Sequence, residues 1–284
     1  MRCLCDVKNI KSILSCHGFK FSKSLGQNFI IDPYVCPNMA EACSDSSSSG
    51  IIEIGPGIGV LTVELAKKFK KVVSVEIDKR LIPILEDTTS DFSNIKIINS
   101  DILKLDLKKL IDSEFKDFEQ INICANLPYY ITSEIIMYIL ENEEIQINSL
   151  TLMLQKEAAE RICASPGTRN AGAISLSVRY YGTPEILFDV GRESFMPAPN
   201  VDSVVIRIDM THAMKSIVKN KKMFFRLVKS AFSQRRKNIL NSLSSQTGIP
   251  KERIRQILEL SNVDPSSRAE QLSFEDFAEI SKNF

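Results

Sequence analysis

The chain of 284 residues has no tryptophan and only two histidines, His17 and His212. That leaves little for a His-based triad or a His-rich metal site. No stretch approaches 18 consecutive apolar residues, which excludes a membrane-spanning helix. Met1 to Phe29 lacks the continuous apolar core of a signal peptide, so secretion is not expected. The seven cysteines, at 3, 5, 16, 36, 43, 124 and 163, are odd in number and scattered. In a chain this long they read as reduced thiols in a cytosol, not as a disulfide framework. Cys3, Cys5, Cys16 and His17 lie near one another, but the Cys3-x-Cys5 spacing is tight and the segment terminal, so no metal is expected. These absences leave a cytoplasmic protein.

What is present is ordinary globular composition, 44% apolar and 25% charged, with length for one large domain or two smaller ones. The net charge of +1 hides an asymmetry. Between Lys215 and Gln256 twelve lysines and arginines stand against Glu252 alone, a net +11. Residues 257–284 carry −4 and the first 214 carry −6. So concentrated a basic segment points to a polyanionic partner, a nucleic acid, docking there. Phe224, Phe225 and Phe232 within it read as the buried face of a helix rather than a base-stacking platform.

After a polar loop at Ser44–Gly50, short apolar runs alternate with helical patterns. Ile51–Ile54, Val72–Val75, Ile95–Ile98, Ile121–Ala125 and Leu150–Leu154 read as strands, with Val60–Phe69, Arg80–Glu86 and Ser133–Leu140 as helices between them. The alternation implies right-handed crossovers and a mostly parallel sheet, and strands apolar throughout imply helices on both faces. Glu185–Val190 and Val201–Ile208 look like late, antiparallel strands. From Ser216 onward the pattern is helical: Met223–Leu243, Pro250–Leu260 and Ser273–Ile280, the last opened by a capping-box variant of Ser273 and Asp276. A boundary near 208–215 follows, giving an α/β domain over 1–210 and a small all-helical domain over 211–284.

Three features of the α/β half carry chemistry. Gly55, Gly57 and Gly59 join the first strand to the first helix and let a ligand approach the backbone closely. Val60 stands where a dinucleotide fingerprint needs glycine, and no Lys-Ser/Thr pair follows, so neither a pyrophosphate nor a triphosphate loop fits. Glu76, followed by Ile77, ends the second strand 21 positions after Gly55, where a carboxylate can accept both ribose hydroxyls. Asp101 ends the third strand and could accept from an adenine amine, with Ile102 covering the ring. Together these read as a site for S-adenosylmethionine on the carboxyl edge of the sheet. The fourth strand ends in Asn126-Leu127-Pro128-Tyr129. An adenine amine is a poor nucleophile because its lone pair is delocalised. The Asn126 side-chain oxygen and the Leu127 carbonyl, stiffened by Pro128, could bind its two hydrogens while Tyr129 stacks on the base. Cys124, inside that strand, reads as a small core residue.

On these motifs the chain resembles the ribosomal RNA adenine N6-dimethyltransferase family, in its bacterial small-subunit branch, nearly end to end. Ser24-Leu25-Gly26-Gln27-Asn28-Phe29 resembles the family's cofactor-lid motif and Glu53–Gly59 its cofactor loop. Phe195-Met196-Pro197-Ala198-Pro199-Asn200-Val201-Asp202-Ser203 resembles its target-base loop, and Ala231–Lys237 its basic helix. The resemblance implies a Rossmann-like S-adenosylmethionine-dependent methyltransferase fold with a helical C-terminal RNA-binding domain. It places cofactor contacts on Asn28, Ile30, Gly55, Glu76, Asp101 and Asn126, with Gly57, Ile77 and Ile102 beside them, and sets Phe195 opposite Tyr129. Arg235, Arg236 and Lys237 would bind RNA. Ile30 stands where leucine is usual, which keeps an apolar contact. The implied activity is dimethylation of two adjacent adenines near the 3′ end of 16S ribosomal RNA, late in assembly of the small subunit, by a monomer with S-adenosylmethionine as its cofactor and no metal.

Three rivals stand beside this. A large-subunit methyltransferase of the macrolide-resistance type shares the motifs, although Gln234–Lys237 and Asn200–Ser203 favour the small-subunit branch. A non-catalytic assembly or transcription factor on the same fold is opposed by the intact Gly55, Glu76, Asp101 and Asn126–Tyr129. DNA adenine methyltransferases typically carry proline where Leu127 stands.

Overall fold

The computed structural model describes residues 4–19, 27–43, 48–234 and 236–284. The chain enters through α1 (Val7–Cys16), a two-residue strand β1 (Phe29–Ile30) and α2 (Val35–Cys43). Helix α1 buries Ile10, Ile13 and Leu14 at helical spacing, and Asp6 caps it by accepting from the Lys8 N–H. Helix α2 contains Pro37 but in its first turn, where an amide hydrogen has no helical partner to lose.

The five apolar runs form β2 (Gly50–Ile54), β3 (Lys71–Glu76), β4 (Ile95–Asn99), β5 (Ile121–Asn126) and β6 (Ser149–Gln155). Between them lie α3 (Val60–Lys68), α4 (Ile82–Thr88), α5 (Leu107–Glu114) and α6 (Thr132–Glu141). After α7 (Lys156–Cys163) and α8 (Ala173–Tyr181) come β7 (Thr183–Val190), a short β8 (Phe195–Met196) and β9 (Ser203–Asp209). The main sheet has seven strands in the order β4-β3-β2-β5-β6-β9-β7, and β1 pairs antiparallel with β8 in a separate ribbon. Strands β2 to β6 pair in parallel, and β9 runs antiparallel to β6. Every residue of β2 is buried, as expected of a strand covered on both faces, whereas edge strand β4 is only partly covered.

Chain order runs outward from β2 in both directions, to β3 and β4 on one side and to β5 and β6 on the other. The carboxyl ends of β2 and β5 therefore flank the topological switch point, the place where open α/β sheets bind ligands. The register pairs Ile54 with Ala125, so Gly55 and Asn126 emerge side by side.

The chain divides into two compact units, Met1–Ala159 with Glu185–Thr211, and Glu160–Pro184 with His212–Phe284. A single cut at 210/211 misses the inner segment. Its reason is aromatic: Tyr180 of α8 packs on Phe224 and Phe225, at centroid distances of 5.9 and 5.0 Å, and Phe224 packs on Phe274 at 4.9 Å. A contact between residues so distant in sequence has no local signature.

The second unit corrects a further expectation. Met223–Leu243 is not one helix but α9 (Lys221–Phe232) and α10 (Ile239–Thr247), followed by α11 (Lys251–Leu260) and α12 (Phe274–Asn283). The Lys237 N–H bonds to the Gln234 carbonyl in a turn, and the Asn238 side chain caps α10 by accepting from the Asn241 N–H at 3.0 Å. Gln234, Arg236 and Lys237 thus lie on a turn and not on a helix; Arg235 lies outside the described residues. Phe224 is fully buried, and Phe232 stacks on Phe277 at 5.9 Å, so these rings belong to packing as expected.

The capping box of α12 is complete: Asp276 N–H donates to Ser273 Oγ at 3.1 Å and Ser273 N–H to Asp276 Oδ2 at 2.8 Å. Ser273→Ala should lower stability by about 1 kcal/mol and Ser273→Gly by only a few tenths. Urea unfolding followed by circular dichroism checks this, and equal losses in the two variants would remove the cap as the cause.

Candidate functional site

The glycine loop leads from β2 into α3. Gly57 and Gly59 have φ of +61° and +89°, where side chains with a Cβ are strained. Space is tight as well: a Cβ on Gly59 would meet Leu85 Cδ1 at 2.9 Å, so that side chain would have to shift, and one on Gly57 would press on the Phe29 ring at 3.3 Å. The loop is drawn toward the end of β3 by Glu76, whose Oε2 accepts from the Gly57 N–H at 3.2 Å and Oε1 from the Asp78 N–H at 2.8 Å. Burial pushes the Glu76 pKa up, and these backbone donors restrain the rise. A carboxylate has about four acceptor positions, so two such bonds leave capacity for a ligand's hydroxyls.

At the neighbouring strand end, the Leu127 N–H bonds to the Met153 carbonyl at 3.2 Å, which fixes the turn that follows β5. The Pro128 carbonyl accepts from the Ile131 N–H and from Thr132 Oγ1, opening α6 directly behind the motif. Tyr129 is anchored by its hydroxyl, 3.1 Å from Ser203 Oγ. Asp202 is held by Arg192, whose Nε and backbone N–H both donate to Oδ1 at 3.0 and 3.2 Å, and this guanidinium lowers the Asp202 pKa. Two residues of the Asn200–Ser203 motif thus have structural duties that spacing alone does not disclose.

One cleft, with about 630 Å³ of empty space counted to where it opens to solvent, collects these parts. Asn28, Gly55, Gly57, Glu76, Ile77, Asn126, Leu127, Pro128 and Tyr129 all line it. Gln27, Phe29 and Leu81 line it too and were not singled out as contacts from the sequence. Gln27 and Phe29 sit within a recognised motif, whereas Leu81 gives no signal beyond its apolarity.

Four expected contacts lie outside this lining. Ile30 and Phe195 are buried partners across the β1–β8 ribbon. Asp101 caps a 3-10 turn, its Oδ1 accepting from the Leu103 N–H at 3.1 Å, with Lys104 Nζ 3.7 Å from Oδ2. Ile102 behind it is buried. Asp101 is nonetheless close to the cleft in the chain's path, because the Ser100 N–H bonds to the Glu76 carbonyl. Ser24, Leu25, Gly26, Cys3 and Arg235 lie outside the described residues. In the second unit Arg236 and Lys237 are exposed. Among the described residues no helix is long and apolar enough to cross a membrane, and no cluster of three or more His, Cys, Asp or Glu side chains could hold a metal ion.

Beneath the loop lies a group that the sequence reading passed over. Glu53 is buried, with Oε2 accepting from Thr62 Oγ1 and Ser74 Oγ at 2.7 Å each; Oε1 has no hydrogen-bond partner. Burial raises its pKa from 4.5 to about 7, against the lowering effect of the two hydroxyls. Between those values the folded chain keeps a proton that the unfolded chain has lost. Stability therefore falls as pH rises from 4.5 and levels off above 7, a span worth up to about 3 kcal/mol. Glu53→Gln, which cannot ionise, should flatten this slope. Urea unfolding from pH 4.5 to 8 checks it, and parallel curves for parent and variant would contradict the assignment.

A model of the ribosomal RNA adenine dimethylase family matches residues 18–284. The ribosomal RNA small subunit methyltransferase A of Alkaliphilus oremlandii (strain OhILAs) is 46% identical over 277 residues, covering 97% of this chain and 96% of that protein. Its counterpart in Clostridioides difficile (strain 630) is 45% identical over 271 residues, covering 95% and 93%. Among solved structures, a dimethyladenosine transferase from Plasmodium falciparum has a TM-score of 0.72 at 26% identity, covering 89% of this chain and 95% of that one. The 23S rRNA methyltransferase ErmE has a TM-score of 0.68 at 24% identity, covering 90% and 98%, a likeness of fold.

Proposed function

The chain belongs to the ribosomal RNA adenine dimethylase family, and on that premise we propose that it dimethylates N6 of two adjacent adenines near the 3′ end of 16S ribosomal RNA, in the cytoplasm, during assembly of the small subunit. The observation that carries this reading is that Glu76, the glycine loop and Asn126–Tyr129 line one cleft at the switch point of the sheet. Relatives at 45–46% identity that bear the small-subunit name favour that substrate over the large subunit.

S-adenosylmethionine is the fitting cofactor, and when bound it supplies an electrophilic methyl group. Gly55 and Gly57 offer backbone without side chains, Glu76 offers acceptors for the ribose, and Asn28 and Ile77 flank the same space. Asp101 and Ile102 are assigned to the adenine. For the target base, Asn126 and the Leu127 carbonyl accept the two amine hydrogens and draw the nitrogen lone pair out of conjugation. Tyr129, fixed through Ser203, offers a ring face. Phe195 is the second aromatic, on the strength of the resemblance. No general base is needed, because the amine proton becomes acidic once the nitrogen carries positive charge and can leave to water. Arg235, Arg236 and Lys237 supply phosphate contacts.

Labelled cofactor offered with unmethylated small subunits, large subunits and duplex DNA, followed by mapping of the modified bases, tests the whole reading. Label confined to two adjacent adenines of 16S RNA is the expected result, and label only in 23S RNA or DNA would overturn it. Within it, Asn126→Ala should slow single-turnover methylation, at saturating cofactor and subunits, by about 10²–10³, by analogy with loss of one oxyanion-hole donor. Some cofactor affinity should be lost too, since Asn126 lines the shared cleft. A rate within about threefold of the parent would leave Leu127 and Tyr129 to position the base unaided. Arg236→Ala with Lys237→Ala should weaken binding to small subunits and reduce the slope of log K against log salt by about 0.7–0.9 per lost phosphate contact. An unchanged slope would give those exposed cations some other purpose.

A further inference from the structure

Asp78 is a buried carboxylate with no part in the reading above, yet four donors converge on it. Gln27 Nε2 donates to Oδ2 at 2.8 Å, and Arg80 Nη2 to the same oxygen at 2.6 Å. Arg80 Nε and its backbone N–H donate to Oδ1 at 2.9 and 3.1 Å. The guanidinium so fixed stands 5.1 Å from the centroid of the Phe19 ring, and Phe19 packs against Phe29 with centroids 6.3 Å apart. Phe29 in turn covers Gly57. The Gly57 N–H donates to Glu76, whose other oxygen accepts from the backbone N–H of Asp78 itself. These contacts close a ring from Asp78 through Arg80, Phe19, Phe29, Gly57 and Glu76 back to Asp78, with Gln27 bonded directly to the carboxylate.

We propose that Asp78 is a positioning residue for the cofactor: it holds Gln27–Phe29 as a preset wall of the cleft, in register with the glycine loop. Gln27, Asn28 and Phe29 all line that cleft, so the residue that holds them sets its width. The inference rests on the cofactor reading of the cleft. Its physics is preorganisation, since a wall ordered in advance spares the ligand the cost of ordering it. A carboxylate suits the task because it accepts at both oxygens, whereas asparagine would turn an NH2 toward Arg80 or Gln27, both donors.

The experiment measures S-adenosylhomocysteine binding by calorimetry for parent, Asp78→Asn, Gln27→Ala and the double variant, with the cofactor KM and kcat on small subunits beside it. Each single variant should bind about tenfold more weakly, the scale of one hydrogen bond to a charged group. The double variant should be within about twofold of Asp78→Asn, because both changes break one contact. The loss should fall on KM for the cofactor more than on kcat. Gln27→Ala leaves the Asp78–Arg80 pair intact, so it decides the matter if Asp78→Asn does not fold. Parental affinity in Gln27→Ala, fully multiplicative losses in the double variant, or a fall in kcat at unchanged KM would each overturn the assignment. A parent that binds no S-adenosylhomocysteine overturns the cofactor reading and this inference together.

Discussion

Parallel pairing of β2 with β3 on one flank and β5 on the other decides where a ligand can sit. The crossovers that follow these two central strands leave in opposite directions, and a crevice opens where they part. Gly55 and Asn126 face that crevice only because Ile54 is paired with Ala125. A slip of one residue would send the side chains of β5 to the opposite faces of the sheet and take Asn126 with them. Burial resists the slip, since Ile51, Ile52, Ile123 and Ala125 are almost wholly enclosed and have no exposed face to exchange. Glu53 adds a polar pin, tying β2 through Thr62 to α3 and through Ser74 to β3.

Three carboxylates around the loop have differently shifted pKa values because their donors differ. Glu53 has two hydroxyls on one oxygen and none on the other, so burial dominates and favours the proton. Glu76 has a backbone N–H on each oxygen; its pKa is raised, though the donors oppose burial. Asp78 is also largely enclosed, but the bidentate Arg80 outweighs desolvation and keeps it ionised. Two hydroxyls, two backbone N–H groups and one arginine thus set apart three acids of similar intrinsic pKa.

Much of this was legible in the chain because the signals are local. Glycines at alternate positions, an acid at a strand end and Asn-Leu-Pro-Tyr after an apolar run each occupy a few residues, and Gly55, Glu76 and Asn126 fall on strand ends or the turns after them. Strand positions were legible for the same reason, with ends displaced by a residue or two. What stayed hidden depends on distance or on turn chemistry. Tyr180 meeting Phe224 cannot be foreseen from either segment, so chain order alone does not group Glu160–Pro184 with the C-terminal helices. Asn238 looks in sequence like any polar residue within a helical span, yet its side chain starts a new helix. Asp78 carries no local signal, because one of its donors, Gln27, stands 51 positions earlier.

The break between α9 and α10 changes what the basic segment can do. On a continuous helix, Arg236 and Lys237 would be tied to a helical face, and their charge could not be altered without touching helix propensity or packing. On a turn they stand beyond the apolar faces of both helices, where Phe224, Leu227 and Val228 on one side and Ile239, Leu240 and Leu243 on the other are buried. The Asn220 and Asn238 caps hold the helices independently of those cations. Electrostatic affinity for a polyanion can then be strengthened or weakened at the turn with little cost to folding. The cleft in the other unit, by contrast, is lined by the buried acid Glu76 and by strand ends whose register is fixed. The two places differ in their tolerance for change, since a solvated turn can vary and a buried strand end cannot.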